Sequence, residues 1–172
     1  MPYTIAFVVA AVLLRLGSLA ISVRNERGLL LSGAVEHGAV TTKVLALAHA
    51  AFYAAAITEA ILQPAPASWI TWTGLTVYAL SMCALFWVIR TLGRVWTVKL
   101  YIAEDHHLET NWLFRRVRHP NYYLNIVPEL IGFALTLQAF TTLSVGLPVY
   151  AVILFLRIRQ EEQVMRERFP EY

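Results

Sequence analysis

Apolar residues fill whole windows of this chain. A spanning helix needs about 20 mostly apolar positions, and three stretches meet that length: Tyr3 to Val23, broken only by Arg15, then Val44 to Leu62, then Trp69 to Ile89. From Leu130 to Leu156 no charged residue occurs, and "TTLSVGLP" interrupts the run. Its glycine and proline predict a turn between two helices. The pattern therefore predicts an all-α polytopic integral membrane protein of about five transmembrane helices, the last two forming a C-terminal hairpin. No strand signal and no internal repeat accompany it.

Composition agrees with a bilayer as solvent. Of 172 residues, 58% are hydrophobic and 15% charged, against about 25% charged in soluble domains. That length suits one domain. We read three N-terminal spans in residues 1–90, and a connector, the hairpin and a tail in 91–172. The formal charge of +3 is too small, and its basic residues too dispersed, to point to nucleic acid. Cys83 has no second cysteine with which to form a disulfide or a metal site, and no metal is expected. The N-terminus lacks the basic start and cleavage site of a signal peptide.

Charge sets the expected orientation. Residues 24–43, residues 90–120 and the tail from Arg157 hold every arginine and lysine except Arg15, whereas "QPAPAS" and "QAFTTLSVG" hold none. The positive-inside tendency then places the N-terminus outside and the C-terminus in the cytoplasm. The location this pattern predicts is integral to a membrane, with the basic face on the cytoplasmic side. Trp69, Trp72, Trp87 and Trp96 lie near predicted boundaries, as an aromatic belt would.

Polar chemistry gathers on the basic side. Pro120 suits a first helical turn, whose free N–H groups beside Arg118 and His119 attract anions. Arg115 and Arg116 serve equally well as topology determinants. Glu129 lies seven residues beyond Tyr122, on the same face of a regular helix, and a carboxylate within a span is costly and faces the bundle interior. His49 is a candidate partner, and a structural pair between helices is the plainer alternative. In the tail, Arg157 with Glu161 and Glu162 with Arg166 are four apart, a spacing that also stabilises any exposed helix. Together these groups describe a cytoplasmic pocket for a ligand with a carboxylate, an ammonium and a flat base. S-adenosylmethionine is such a molecule, and its sulfonium gains from aromatic faces.

The stretches "HHLETNWLFRRVRHPNYY", "RIRQEE" and "RFPEY" resemble the C-terminal signature of the isoprenylcysteine carboxyl methyltransferase family, over roughly Gly93 to Tyr172. "RNERGLLLSGAVEHG" is similar to the first cytoplasmic loop of a bacterial branch linked to type III polyketide synthases and to O-methylation of alkylpyrones or alkylresorcinols. The resemblance implies that His106 and Leu108 border S-adenosylmethionine, that Arg118, His119, Pro120 and Tyr122 hold its amino-acid end, and that Glu161 and Glu162 complete the pocket. It implies direct methyl transfer to an oxygen of a lipophilic acceptor, an alkylpyrone, alkylresorcinol or prenylcysteine carboxylate, reaching the site from the bilayer. Arg157 would stabilise the acceptor oxyanion, and Glu129 or Glu161 would act as base toward a phenol. Trp112-Leu113-Phe114 stands where the family commonly has Gly-Pro-Tyr. Two other classes share some of these features: an NADPH-dependent membrane reductase with an Arg-His-Pro-type pocket, and a non-enzymatic scaffold or lipid-binding subunit whose charges only set topology.

Overall fold

The computed structural model describes residues 2–102 and 119–168. Helix α1 covers Pro2–Leu31, α2 Ala39–Leu62 and α3 Trp69–Leu92. Helix α4 opens as a π-helical turn, Asn121–Ile126, and continues as Val127–Leu137. Helix α5 does likewise, with a π-turn at Thr142–Gly146 before Leu147–Arg168. Among the described residues four stretches are long and apolar enough to cross a membrane: Tyr3–Leu31, Ala39–Leu62, Trp69–Val95 and Thr142–Glu167. The fifth crossing expected from sequence falls on α4, which is shorter than these.

Three expectations change. Residues 24–31, read as loop, continue α1, so the connector to α2 shrinks to residues 32–38. Within it β1 (Val35–His37) pairs antiparallel with β2 (Leu100–Ile102), in the register Val35 to Ile102, Glu36 to Tyr101 and His37 to Leu100. This small sheet was not expected, and three-residue strands are too short to show an alternating pattern. The hairpin turn also moves. Gln138 ends α4 with φ 55° in the left-handed region, and its amide donates to the Pro66 carbonyl at 2.7 Å and to Thr71 Oγ1 at 3.1 Å. The Glu59 carboxylate then accepts from the N–H groups of Thr141 and Thr142 and from the Thr142 hydroxyl, at 2.7 to 2.8 Å. These bonds satisfy donors that a helix start leaves without partners, so α5 begins before Gly146. Pro148 falls in the first turn of its α-helical part, where a missing N–H is tolerated.

Helices α3 and α4 pack backbone to backbone. A Cβ on Gly74 would stand 2.3 Å from the Thr136 nitrogen, and one on Gly132 would stand 2.5 Å from the Tyr78 nitrogen. Small residues at such crossings let membrane helices approach closely. Around them Leu85, Val88, Leu130 and Phe133 are fully buried, and Phe133 stacks on Tyr53 with ring centroids 3.9 Å apart. Helix α1 is the outlier. Only 11% of its apolar window is buried, against 22 to 28% in the other spans, so most of α1 faces the surroundings.

Candidate functional site

At the end of the bundle that carries the strands, α4 and α5 bring six predicted residues together. The start of α4 supplies His119, Pro120 and Tyr122, and one face of α5 supplies Arg157, Glu161 and Glu162. Glu161 accepts from the Tyr122 hydroxyl at 2.5 Å and from Arg157 Nε at 3.0 Å. His119 sits between the two carboxylates, with Nδ1 3.5 Å from Glu161 and Nε2 3.5 Å from Glu162. Its ring stacks on Tyr122 at a centroid distance of 5.8 Å. Arg157, 1% exposed, also donates through Nη1 to the Gly38 carbonyl at 3.4 Å. Glu162 is held from its other side by Arg166. Pro120 is buried and opens the helix.

Several polar atoms here lack a hydrogen-bonding partner among the described residues: Arg157 Nη2, His119 Nε2, Asn121 Oδ1 and Gln160 Oε1. Buried polar groups are ordinarily satisfied, so each calls for an explanation. Two donors and two acceptors at one helix junction suit a ligand that carries both an anionic and a cationic group.

Glu129 belongs to a second cluster deeper in the bundle. It is completely buried, pairs with Arg15 from α1 and accepts from the Tyr53 hydroxyl at 2.5 Å. His49, the partner proposed from sequence, is 3.6 Å away, stacks on Tyr53 and reaches the Tyr150 hydroxyl at 3.4 Å. Asn125 links this group to α3, accepting from Arg15 at 3.5 Å and donating to the Ser81 carbonyl at 3.1 Å. Tyr122 and Glu129 thus serve different clusters despite their spacing, because the π-turn between them shifts the helical phase. Arg15 was noticed in the sequence, but its partnership with Glu129 was not.

A third group fastens the strands to α1. Lys99 Nζ lies 3.1 Å from Glu26 and 3.5 Å from Glu36. The hydrogen bond to Glu26 raises the pKa of the ammonium, and the nearby charges of Glu26 and Glu36 add to the effect. Tyr101 donates to Glu36 at 3.2 Å. Trp96 is buried rather than placed at a bilayer-facing rim, and its carbonyl, like that of Gly93, accepts from the Asn25 amide. His106, Leu108 and Arg118, with Arg115, Arg116 and Trp112 to Phe114, lie outside the described residues.

The match that decides the family covers more than half of the chain: residues 72–167 fit the isoprenylcysteine carboxyl methyltransferase (ICMT) family. The chain belongs to the ICMT family. Membership implies a methyltransferase, and the apolar helices make it a membrane protein. An uncharacterized protein of Haemophilus influenzae is 46% identical over 158 residues, covering 92% of each chain. The uncharacterized protein YpbQ of Bacillus subtilis is 28% identical over 155 residues, covering 89% of this chain and 90% of its own. No solved structure matches. The ICMT match contains His119, Tyr122, Arg157, Glu161 and Glu162, but it begins beyond Arg15, Gly38 and Tyr53.

Proposed function

We propose that this ICMT-family protein transfers a methyl group from S-adenosylmethionine to an oxygen of a lipophilic acceptor dissolved in the bilayer. The observation that carries the reading is the junction of α4 and α5, where a buried arginine, a histidine and two carboxylates converge with polar atoms left unpaired. When bound, the donor supplies an electrophilic methyl on a sulfonium whose sulfur leaves as a neutral thioether. The unpaired atoms of His119, Asn121 and Gln160 fit its amino-acid end, which leaves Arg157 Nη2 for the acceptor. His119, Tyr122 and Glu162, at the helix start made by Pro120, would hold that end, with His106, Leu108 and Arg118 beside it.

The chain's own residues would do the rest by placement and electrostatics. Arg157, anchored by Glu161, Tyr122 and Gly38, would direct its free Nη2 at the acceptor oxyanion, where a fixed cation in a water-poor site counts most. Positioning the reactants supplies much of the remaining acceleration. An acidic enol or a carboxylate needs no base. For a phenol, Glu161, beside Arg157 and His119 in the cluster, would take the proton; Glu129 stands apart from it in the deeper group with Arg15 and Tyr53. The likeness of Arg24 to Gly38 to the polyketide-linked branch supports an alkylpyrone or alkylresorcinol acceptor, with a prenylcysteine carboxylate as the alternative. The reading includes five crossings of a bacterial inner membrane, with the N-terminus outside and the site cytoplasmic.

The test incubates membranes containing the protein with labelled S-adenosylmethionine and these acceptors and identifies the product by mass. His119→Ala and Glu161→Ala are expected to lower turnover by about 10² to 10⁴-fold with the fold retained; full activity in both would overturn the site. Saturating S-adenosylhomocysteine at about 100 times its Kd should stabilise the protein by about 2.7 kcal/mol. Stabilisation by NADPH alone would favour a reductase, and by neither a scaffold.

A further inference from the structure

The connector between α1 and α2 lies outside the stretch matched to the family, yet it touches the residue at the centre of the cluster. Gly38 directly follows β1, precedes α2 with φ 65°, and offers its carbonyl to Arg157 Nη1. A Cβ there would stand 2.5 Å from Gln160 Oε1 and 2.7 Å from Gln160 Cδ. Glycine is favoured by this left-handed backbone, and any other residue would also push aside the end of the Gln160 side chain. That same Gln160 Oε1 and the second terminal nitrogen of Arg157, Nη2, are among the buried polar atoms left unpaired.

The position of Gly38 is set from further away. β1 is paired to β2, and the chain around β2 is tied to α1. Lys99 bridges Glu26 and Glu36, and Ser22 accepts from the Val98 N–H at 2.9 Å while donating to Glu26 at 3.0 Å. The planar guanidinium of an arginine directs its donors well only when its rotation is fixed. Glu161 and Tyr122 both engage Nε. Gly38 alone among the described residues engages Nη1, and so fixes the rotation that aims Nη2.

We infer that Gly38 and Lys99 are positioning residues for methyl transfer: Lys99 staples β1 and β2 to α1, β1 holds the Gly38 carbonyl, and that carbonyl aims the Arg157 guanidinium at the reacting oxygen. This rests on the methyltransferase reading. Because Lys99 is more than a third exposed, its ion pairs add little to stability. Their loss is read in turnover.

S-adenosylhomocysteine binding to the wild-type protein is measured first by calorimetry in nanodiscs; its absence would overturn the methyltransferase reading itself. With binding established, Lys99→Met is expected to lower kcat about tenfold or more, since a misplacement of an ångström costs about 10²-fold. The donor KM and the S-adenosylhomocysteine affinity should stay within about twofold, and Lys99→Arg should retain activity. Gly38→Ala should lower kcat in the same way. Should Lys99→Met fail to fold, Glu36→Gln weakens the same staple and replaces it. Wild-type kcat in the folded fraction of the Lys99 or Glu36 variant, whatever the change in melting temperature, would overturn the inference while leaving the methyltransferase reading intact. So would equal loss of kcat and donor affinity.

Discussion

Arg15 and Glu129 show what a single residue can and cannot reveal in a membrane sequence. Each is legible alone, because an ionisable group within a span is expensive and must find a partner. Their pairing is not legible, since loop lengths and charge signs do not say which faces of two helices meet 114 positions apart. Removing one member leaves the other charge stranded, so Arg15→Leu should cost about 3 to 5 kcal/mol, whereas Arg15→Leu with Glu129→Leu should recover most of that loss. Unfolding in detergent measures both. If the double variant also keeps its turnover, Glu129 is a structural residue and Glu161 remains the base. The His119, Tyr122 and Glu161 grouping was easier to foresee, because motif likeness and helical spacing pointed to the same few positions.

The apolar windows located the helices, but where the helices end depended on bonds that run between elements. Gly146 and Pro148 looked like a turn, yet the chain reverses at Gln138, whose amide is held by Pro66 and Thr71. What permits α5 to start early is Glu59, a residue of α2. Glu59→Ala should therefore destabilise α5 by about 0.5 to 2 kcal/mol, as loss of a helix cap does; hydrogen exchange at Thr141 and Thr142 should rise first. The contact of α3 with α4 depends on two absent side chains. Gly132→Ala should force these helices apart at a cost of about 1 to 3 kcal/mol, visible as a lower melting temperature without any change in the residues of the site. The Lys99 staple stays charged at neutral pH, because its folded pKa is raised. Its contribution is present below the unfolded value of about 10.4 and is lost only as pH rises through the folded value, so activity near pH 7 should respond to salt at this staple rather than to pH.

For the molecule as a whole, α4 decides the topology. Its 6 π-helical and 11 α-helical residues span roughly 25 Å at the rise of an α-helix, short of the roughly 30 Å hydrocarbon core. Its two ends nevertheless meet Thr71 at one end of the bundle and Glu161 at the other. Reporter fusions should place the N-terminus outside and the C-terminus inside; both termini on one side would mean that α4 does not cross. The mid-bundle ion pair also bears on how the protein is made. While the ribosome is still working, α1 must enter the lipid with an arginine and no counter-charge, at a cost of about 2.5 to 3.5 kcal/mol on the insertion scale. Relief comes only when the carboxylate of α4 has been synthesised, so α1 settles after a helix made well behind it.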